Sequence, residues 1–238
     1  MRVIRDGYSL ENFAELTAIQ KQAENDYLLD IAKHLSHSYD TVLLKGGNVV
    51  DVLENKLVRN TDVLLRQGKI IALGTKLTAP AGAKVVDVQG KTLVPGLWDM
   101  HGHLSKNDGL LNIAAGVTSV RDIGNNHDNI MEIDRLFNSD ELIGNRVYRA
   151  GFFDKQSEYS AGLSVNSLAE AHEKIDWFAD NGYLQIKIYS SIDPTWVKPI
   201  AEHAHRRGMR LSGHVPAFMT ARQAVEQGFD EIQHVNML

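Results

Sequence analysis

A pair of closely spaced histidines offers the first candidate for chemistry in this sequence. His101 and His103 stand two residues apart in DMHGHL, directly after the apolar run LVPGLW. Side chains at positions i and i+2 of a strand point to the same face, so two imidazoles at the end of a buried strand could bind one metal ion. In a solvated loop the same pair would have no shared role, and the spacing alone does not separate these interpretations.

A regular pattern in the second half of the chain supplies further candidates. Four predicted helices end in glycine and run directly into a strand, in AAGVTSVRD, DNGYLQIKI, RRGMRLSGH and EQGFDEIQH. Because the carboxyl ends of parallel barrel strands form one face, where active sites are built, polar residues at these strand ends should meet. The pattern therefore predicts that four histidines and a lysine converge on one rim. The glycines are Gly116, Gly182, Gly208 and Gly228, each suited to the position just after a helix, and the strand-end residues are Asp122, Lys187, His214 and His234.

The order of the predicted elements indicates an α/β fold. Residues 9–38 have apolar side chains at helical spacing. Residues 40–92 contain β-branched runs broken by Gly-Gly and Gln-Gly, which predict the hairpins of a small antiparallel β unit. After Pro95, short strands alternate with helical segments, as in a parallel sheet with crossover helices. We therefore predict three parts: an N-terminal helical segment 1–39, a small β domain 40–92 and a partial barrel 93–238.

Four predicted helices lie between the strands of the partial barrel. They are DNIMEIDRLF, SLAEAHEKIDWFAD, PTWVKPIAEHAHRR and ARQAVEQ. The starts of three of them carry residues that commonly cap helices. Ser167 with Glu170 and Thr220 with Gln223 predict capping boxes, and Asp193 before Pro194 predicts an N-cap followed by proline in the first turn.

Composition argues against several kinds of partner and metal ligand. The 238 residues include 25 basic and 30 acidic side chains, and the formal net charge of -5 gives no reason to expect nucleic acid or an anionic membrane as partner. The sequence contains no apolar run of about 18 residues that would predict a membrane span. The N-terminus lacks the apolar core of a signal peptide, which favours the cytoplasm. With no cysteine, thiolate ligands and disulfides are excluded.

Several of these motifs together resemble a known group of enzymes. PGLWDMHGHL, IKIY, SGHVP and IQHVN are similar to motifs of the metal-dependent amidohydrolase superfamily, and more closely to its binuclear-zinc, prolidase-like branch, which is also described as imidazolonepropionase-related. The resemblance covers residues 41–238. It implies a TIM (β/α)8-type barrel, present here as strands one to six, and a small β-sandwich-like domain that is part of a urease-like composite domain.

The resemblance also implies a set of metal ligands. His101 and His103 on strand one would bind the first of two divalent metal ions, with zinc the expected metal. Lys187 on strand four, carboxylated on its amine, would bridge the two ions. The carbamate makes physical sense because an ammonium has no lone pair, whereas a carbamate offers anionic oxygens. The second ion would be bound by His214 and His234.

One departure from the family pattern affects the expected activity. The family places a catalytic aspartate after strand eight, as metal ligand and proton shuttle, whereas this sequence reaches strand six shortly before its last residue, Leu238. The aspartate is therefore expected beyond Leu238, and Asp122 cannot take its role because it belongs to strand two. The sequence is expected to be an N-terminal fragment that is inactive by itself. Its open strand edges would favour self-association, for example as a homo-oligomer.

The implied reaction is hydrolysis of an amide or peptide C–N bond in a small molecule by metal-activated water. A cyclic amidase or a deaminase of the same superfamily is an alternative, although Lys187 argues against a mononuclear deaminase. A catalytically dead, metal-binding fragment is the other alternative. Three residues in or near loops at the same rim, Tyr159, Tyr189 and His127, are candidates for substrate contact.

Overall fold

The computed structural model describes residues 10–234 and contains two compact units. One unit is formed by the described residues up to Lys33 together with those from Leu97 onward, and the other by His34–Gly96. The predicted division into 1–39, 40–92 and 93–238 stays a prediction. The first half of the chain contains α1 (Leu10–Leu35), β1 (Thr41–Asp51), β2 (Lys56–Arg66), β3 (Lys69–Gly74), β4 (Lys84–Asp87), β5 (Thr92–Leu93), β6 (Leu97–Gly102) and α2 (Lys106–Ala114). The second half contains β7 (Val117–Asp122), α3 (His127–Asn138), β8 (Arg146–Lys155), β9 (Leu163–Val165), α4 (Leu168–Asp180), β10 (Gln185–Ile188), α5 (Pro194–Arg206), β11 (Arg210–Gly213), α6 (Ala221–Glu226) and β12 (Glu231–Ile232).

The larger unit is built around a curled parallel sheet. Its strands follow the order β12-β11-β10-β8-β7-β6, and the short strand β9 pairs with β8. Every pairing along this order is parallel, because a helix carries the chain back after most strands. Phe153, Ile186 and Leu211 are fully buried between sheet and helices. The predicted fold class, an incomplete TIM (β/α)8-type barrel with six strands, is confirmed.

The local signals for helices in this unit were mostly correct. Each of the four predicted helices is present, and each of the four glycines adopts a positive φ just after a helix. The Ser167 hydroxyl accepts from the Glu170 amide, and Asp193 caps α5 ahead of Pro194. The Glu170 side chain instead accepts from the Asn166 amide, so of the two predicted capping boxes only the one at Thr220 and Gln223 is reciprocal.

The sequence predicted the end of helix α2 before Gly116 but not where this helix starts. Its start carries a capping box in which the Asp108 carboxylate accepts from the amide and hydroxyl of Ser105, at 2.6 and 2.7 Å. The motif S-x-x-D at residues 105–108 was a usable signal for a helix start. Gly109 in the first turns lowers helix propensity and obscures the pattern.

The smaller unit differs from the predicted antiparallel unit. β1, β2 and β3 are antiparallel neighbours, as predicted. β4 and β5, however, both pair with β1 in parallel, so AKVVDVQGKTLVPG is not a hairpin. The segment 75–83 carries the chain back across the sheet before β4 begins. Asp62 fixes this crossover because its buried carboxylate accepts from the amides of Gly46 and Leu77, both at 2.8 Å.

The N-terminal helix α1 is amphipathic only in part. Leu28 and Ala32 are buried, and Leu28 joins the core of the larger unit, whereas Ile19 and Tyr27 are exposed. The predicted helix over residues 9–38 begins outside the described residues and ends three residues earlier than predicted, at Leu35. None of the helices in the described part of the chain is both long and apolar enough to span a membrane.

Candidate metal centre

Four histidines from three distant segments of the sequence meet at the carboxyl ends of the parallel strands. The ring centroids of His101 and His103 are 5.3 Å apart. His234, after β12, lies 4.6 Å from His101 and 4.7 Å from His214, which follows β11. The imidazoles therefore form a continuous row in the order His103, His101, His234, His214.

Lys187 lies beside this row and is only 2% exposed. Its Nζ is 5.1 Å from the centroid of the Phe152 ring on the neighbouring strand β8. Tyr189 contacts the Phe152 ring and packs on His214, with ring centroids 5.7 and 3.9 Å apart. Most of these groups line an open cavity of about 410 Å³, whose lining residues are His103, Phe152, Ala161, Lys187, Tyr189, His214 and His234.

Close backbone packing fixes the direction of His214. Gly213, the last residue of β11, has a φ of +145°, and a Cβ at this position would lie 2.0 Å from the Ile188 carbonyl oxygen. Only glycine allows β11 to approach the end of β10 this closely. The next amide, of His214, donates to the same carbonyl at 3.1 Å. The His214 side chain therefore leaves the sheet beside Lys187.

Burial and neighbouring cationic groups lower the pKa values of three groups in this site. Burial lowers the pKa of His214 to about 4, with further contributions from His234, Lys187 and His101. Burial, and then the charge of Lys187, lower the pKa of His101. Burial also lowers the pKa of Lys187. Because a metal ligand needs a free lone pair, neutral imidazoles are the forms that bind metal.

The hydrogen bonds of three of these histidines leave one ring nitrogen of each without a hydrogen bond in the described residues. His101 Nδ1 is 2.8 Å from Gln233 Oε1, His103 Nδ1 is 3.1 Å from the Gly124 carbonyl oxygen, and His214 Nδ1 is 3.4 Å from Ser190 Oγ. Each of these bonds uses Nδ1 and leaves Nε2 for another partner. Within residues 10–234, however, no three His, Asp or Glu side chains are arranged so that they could already hold one ion. The donor types fit a metal site, and the rings would have to close around an ion.

The candidates for substrate contact lie in different places. Tyr189 lines the cavity. Tyr159 is mostly exposed in the loop after β8 and is not among the lining residues. His127 begins α3 and packs on the outer layer, where its Nδ1 is 2.7 Å from the Tyr183 hydroxyl and its ring contacts Trp177. Of the three, only Tyr189 is placed beside the row of histidines.

The catalytic aspartate of the family pattern is not represented in the described part of the chain. It was expected beyond Leu238, and Leu238 itself lies outside the described residues, which end at His234. The structure therefore describes the candidate metal ligands without this acid, and the position of the aspartate stays a prediction.

Asp122, Phe152 and Gln233 also shape the surroundings of the candidate site. The last two were not predicted from the sequence. Asp122 is buried and accepts from the Leu104 amide at 2.7 Å and from Asn125 Nδ2 at 2.9 Å, so it fixes the loop after β6. Phe152 forms a cavity wall. Gln233 contacts His101. A polar residue beside His234 at a strand end was a signal for Gln233, whereas nothing in FFDK distinguished Phe152 from core.

The comparisons with known proteins give similar structures and short sequence matches. No protein-family profile matches the chain. Over 63 residues, 26% of the chain, it is 43% identical to a dihydroorotase from Citrifermentans bemidjiense and 48% identical to one from Geobacter sulfurreducens. The matched stretch covers 15% of the length of each of these relatives.

Among solved structures, the neighbours are similar in fold at low sequence identity. A Xaa-Pro dipeptidase with bound methionine in the active site superposes with a TM-score of 0.68 at 17% identity, covering 83% of this chain and 62% of that one. A bottromycin amidohydrolase superposes with a TM-score of 0.69 at 18% identity, covering 87% of this chain and 48% of that one. The chain thus spans about half to three fifths of these neighbours. Because these structural neighbours and the sequence relatives are amidohydrolase-superfamily proteins, the predicted resemblance is confirmed, and the chain has the fold of that superfamily.

Proposed function

We propose that this protein acts in the hydrolysis of an amide or peptide C–N bond of a small molecule, at a centre of two divalent metal ions. The observation that carries the proposal is the row of four histidines beside a buried lysine at the carboxyl ends of the strands. Active sites of parallel barrels are built at this end. The fold shared with a dipeptidase and an amidohydrolase supports the same reaction class.

The residues of the site would divide into two groups of ligands. His101 and His103 would hold one ion, and His214 and His234 the other, with Lys187 between them after carboxylation of its amine. A neutral amine is the form that can take up carbon dioxide, and burial shifts Lys187 toward that form. When bound, divalent ions of this kind supply an activated water and polarise a carbonyl group.

The cavity wall suggests which part of a substrate the protein would contact. Phe152, Ala161 and the Tyr189 ring supply apolar surface to the cavity beside the row of histidines. A cavity of about 410 Å³ is near the lower end of the range for small-molecule sites, roughly 300–1,000 Å³. This wall suits an apolar side chain next to the cleaved bond. In the described residues no carboxylate lines the cavity, and we assign proton transfer to none of them.

Metal stoichiometry tests the proposal directly. The protein, incubated with zinc and bicarbonate and then desalted, should retain about two zinc ions per chain by mass spectrometry. His214→Ala should retain about one. The matched control is His203→Ala on α5, whose ring pairs with Asp176 at 2.8 Å, and it should retain two. Absence of zinc from the unmodified protein, or equal retention by His214→Ala, would refute the proposed centre.

A cyclic amide is the second candidate substrate class, because the sequence relatives are dihydroorotases. Parallel assays of the zinc-loaded protein on Xaa-Pro dipeptides and on dihydroorotate separate the two classes. Turnover should be lost in Lys187→Ala whichever class reacts. Full zinc loading with no turnover of either class would agree with the expectation that residues 1–238 are inactive by themselves, and with the third interpretation, a metal-binding protein without catalysis.

A further inference from the structure

A chain of hydrogen bonds connects His101 to a partly buried ion pair on the concave side of the sheet. His101 Nδ1 lies 2.8 Å from Gln233 Oε1, and Gln233 Nε2 donates to Glu231 Oε1, also at 2.8 Å. Both Glu231 oxygens accept from the Arg121 guanidinium, at 2.6 and 2.5 Å. Arg121 on β7 and Glu231 on β12 come from widely separated strands in the sheet order. Their side chains therefore meet across the curve of the sheet.

The charge of Glu231 determines which group donates and which accepts in each of these hydrogen bonds. The hydrogen bond from Arg121 lowers the pKa of Glu231, so this side chain is a carboxylate and can only accept. The amide nitrogen of Gln233 must then face Glu231, and its oxygen must face His101. Because the amide oxygen of Gln233 can only accept, the neutral imidazole of His101 must carry its proton on Nδ1. The lone pair is thereby placed on Nε2.

The ion pair is itself held rigidly by the strands around it. Arg121 is 7% exposed, and its Nε donates at 2.8 Å to the carbonyl of Met100, the residue before His101. Arg121 Nη1 also reaches Gln185 Oε1 at 3.2 Å, and Gln185 in turn donates to Ser212 Oγ at 2.9 Å. One guanidinium thus fixes both the strand that carries His101 and the carboxylate that orients Gln233.

We propose that Gln233 is a positioning residue that selects the Nδ1-protonated tautomer of His101 and holds its ring, with Glu231 and Arg121 fixing the orientation of the Gln233 amide. The tautomer follows from the hydrogen bonds alone. Its use, presenting Nε2 to a metal ion, rests on the proposed function. Groups that orient a metal-binding histidine in this way typically contribute about 10- to 100-fold to metal affinity.

The first test is the tautomer of His101 in the metal-free protein. Long-range ¹H–¹⁵N correlation spectra of histidine-labelled protein at pH 7.5 should show His101 protonated on Nδ1. In Gln233→Leu, His101 should change to the Nε2-protonated form or to a mixture. His103 is an internal control, because its Nδ1 faces the Gly124 carbonyl and its tautomer should not change. An unchanged His101 tautomer in Gln233→Leu would overturn the proposal.

A second variant keeps the side chain that contacts His101. Glu231→Gln replaces the acceptor-only group by an amide that can also donate, so Gln233 is free to turn, and His101 should show a mixture of tautomers. If Glu231→Gln keeps the pure Nδ1-protonated form, the role of the ion pair is refuted. This variant also tests the proposal if Gln233→Leu fails to fold.

Zinc affinity separates this proposal from the proposed function. In competition with a chromophoric chelator, Gln233→Leu should bind zinc about 10- to 100-fold more weakly than the unmodified protein. Equal affinities would overturn the positioning role. If the unmodified protein binds no zinc but the tautomer responds as expected, the metal centre fails and the orientation of His101 by Gln233 stands.

Discussion

Polar side chains on the concave side of the curled sheet and those on the outer helices α4 and α5 have different surroundings. On the sheet, Lys187 lies beside the strand-end histidines. The hydrogen bonds of these histidine rings go to an amide oxygen, a backbone carbonyl and a hydroxyl, and none goes to a carboxylate of the described residues. On the helices, the His172 and His203 rings stack with centroids 4.3 Å apart, and His203 Nε2 pairs with Asp176. A carboxylate partner thus fixes the His203 ring on the outside, whereas the hydrogen bonds of the inner histidines go to neutral groups and leave Nε2 for another ligand.

The comparison extends to the two best-paired arginines. Arg121 is buried in the sheet and bonds Glu231, Gln185 and the Met100 carbonyl. Arg207 pairs with Asp176 and Asp180 at the surface of the helical layer, where its side chain is 34% exposed. Arg121 makes four side-chain hydrogen bonds and Arg207 makes two, and the bonds of Arg121 are also better shielded from water. Arg121 should therefore contribute more to the free energy of unfolding than Arg207 does, because it is buried in the sheet.

The largest expected effect is on stability when the inner ion pair is broken. Arg121→Met should lower the free energy of unfolding by about 3 kcal/mol, because it leaves a partly buried carboxylate without its partner. Arg207→Met, the matched change on the outer layer, should cost less than about 1 kcal/mol. Urea unfolding at pH 7.5 measures both. Similar losses for the two variants would remove the distinction between inner and outer layers.

A smaller effect of opposite sign is expected at Lys187. Lys187→Met replaces a buried amine by an apolar side chain of similar length, and should raise the free energy of unfolding by about 1 kcal/mol. The same variant should lose zinc binding if the lysine is a ligand. Urea unfolding and zinc titration of one sample test both points. A destabilised variant that still binds two zinc ions would show that Lys187 has a structural role.

The smallest expected effect is a pH dependence in the helical layer. Burial, and then the nearby His203, lower the pKa of His172 below its usual value of 6.5, and its buried Nε2 has no partner in the described structure. Below pH 6.5 the unfolded chain binds more protons at this site than the folded protein, so stability falls as the pH is lowered. The slope from one such group is at most about 1.4 kcal/mol per pH unit.

His172→Phe keeps a ring against His203 and removes the titration. Its free energy of unfolding should change less than that of the unmodified protein between pH 7.5 and pH 5.5. His205→Phe, at a more exposed position of α5, is the control and should leave that part of the pH dependence unchanged. Parallel pH profiles for the unmodified protein and His172→Phe would contradict the assignment.

Much of the architecture could be read from local patterns. The four glycines that end helices and the caps at Thr220 and Asp193 depend on backbone angles and hydrogen bonds within a few residues, so the sequence reports them directly. The same frame predicted where the strands end. The direction of β4 was missed because parallel or antiparallel pairing with β1 depends on the path of the intervening loop, which has no comparable local signal.

The candidate site was likewise predicted in part from the sequence and decided in part by the tertiary structure. The sequence by itself determined which side chains stand at strand ends, since alternation of strand and helix brings the carboxyl ends of parallel strands to one rim. Only the tertiary structure decided that Gln233 meets His101, 132 positions away in the chain, that Phe152 covers Lys187, and that His127 turns toward Tyr183 instead of the cavity. The curvature of the sheet and the packing between its strands set these contacts, and neither is encoded in a short stretch of residues.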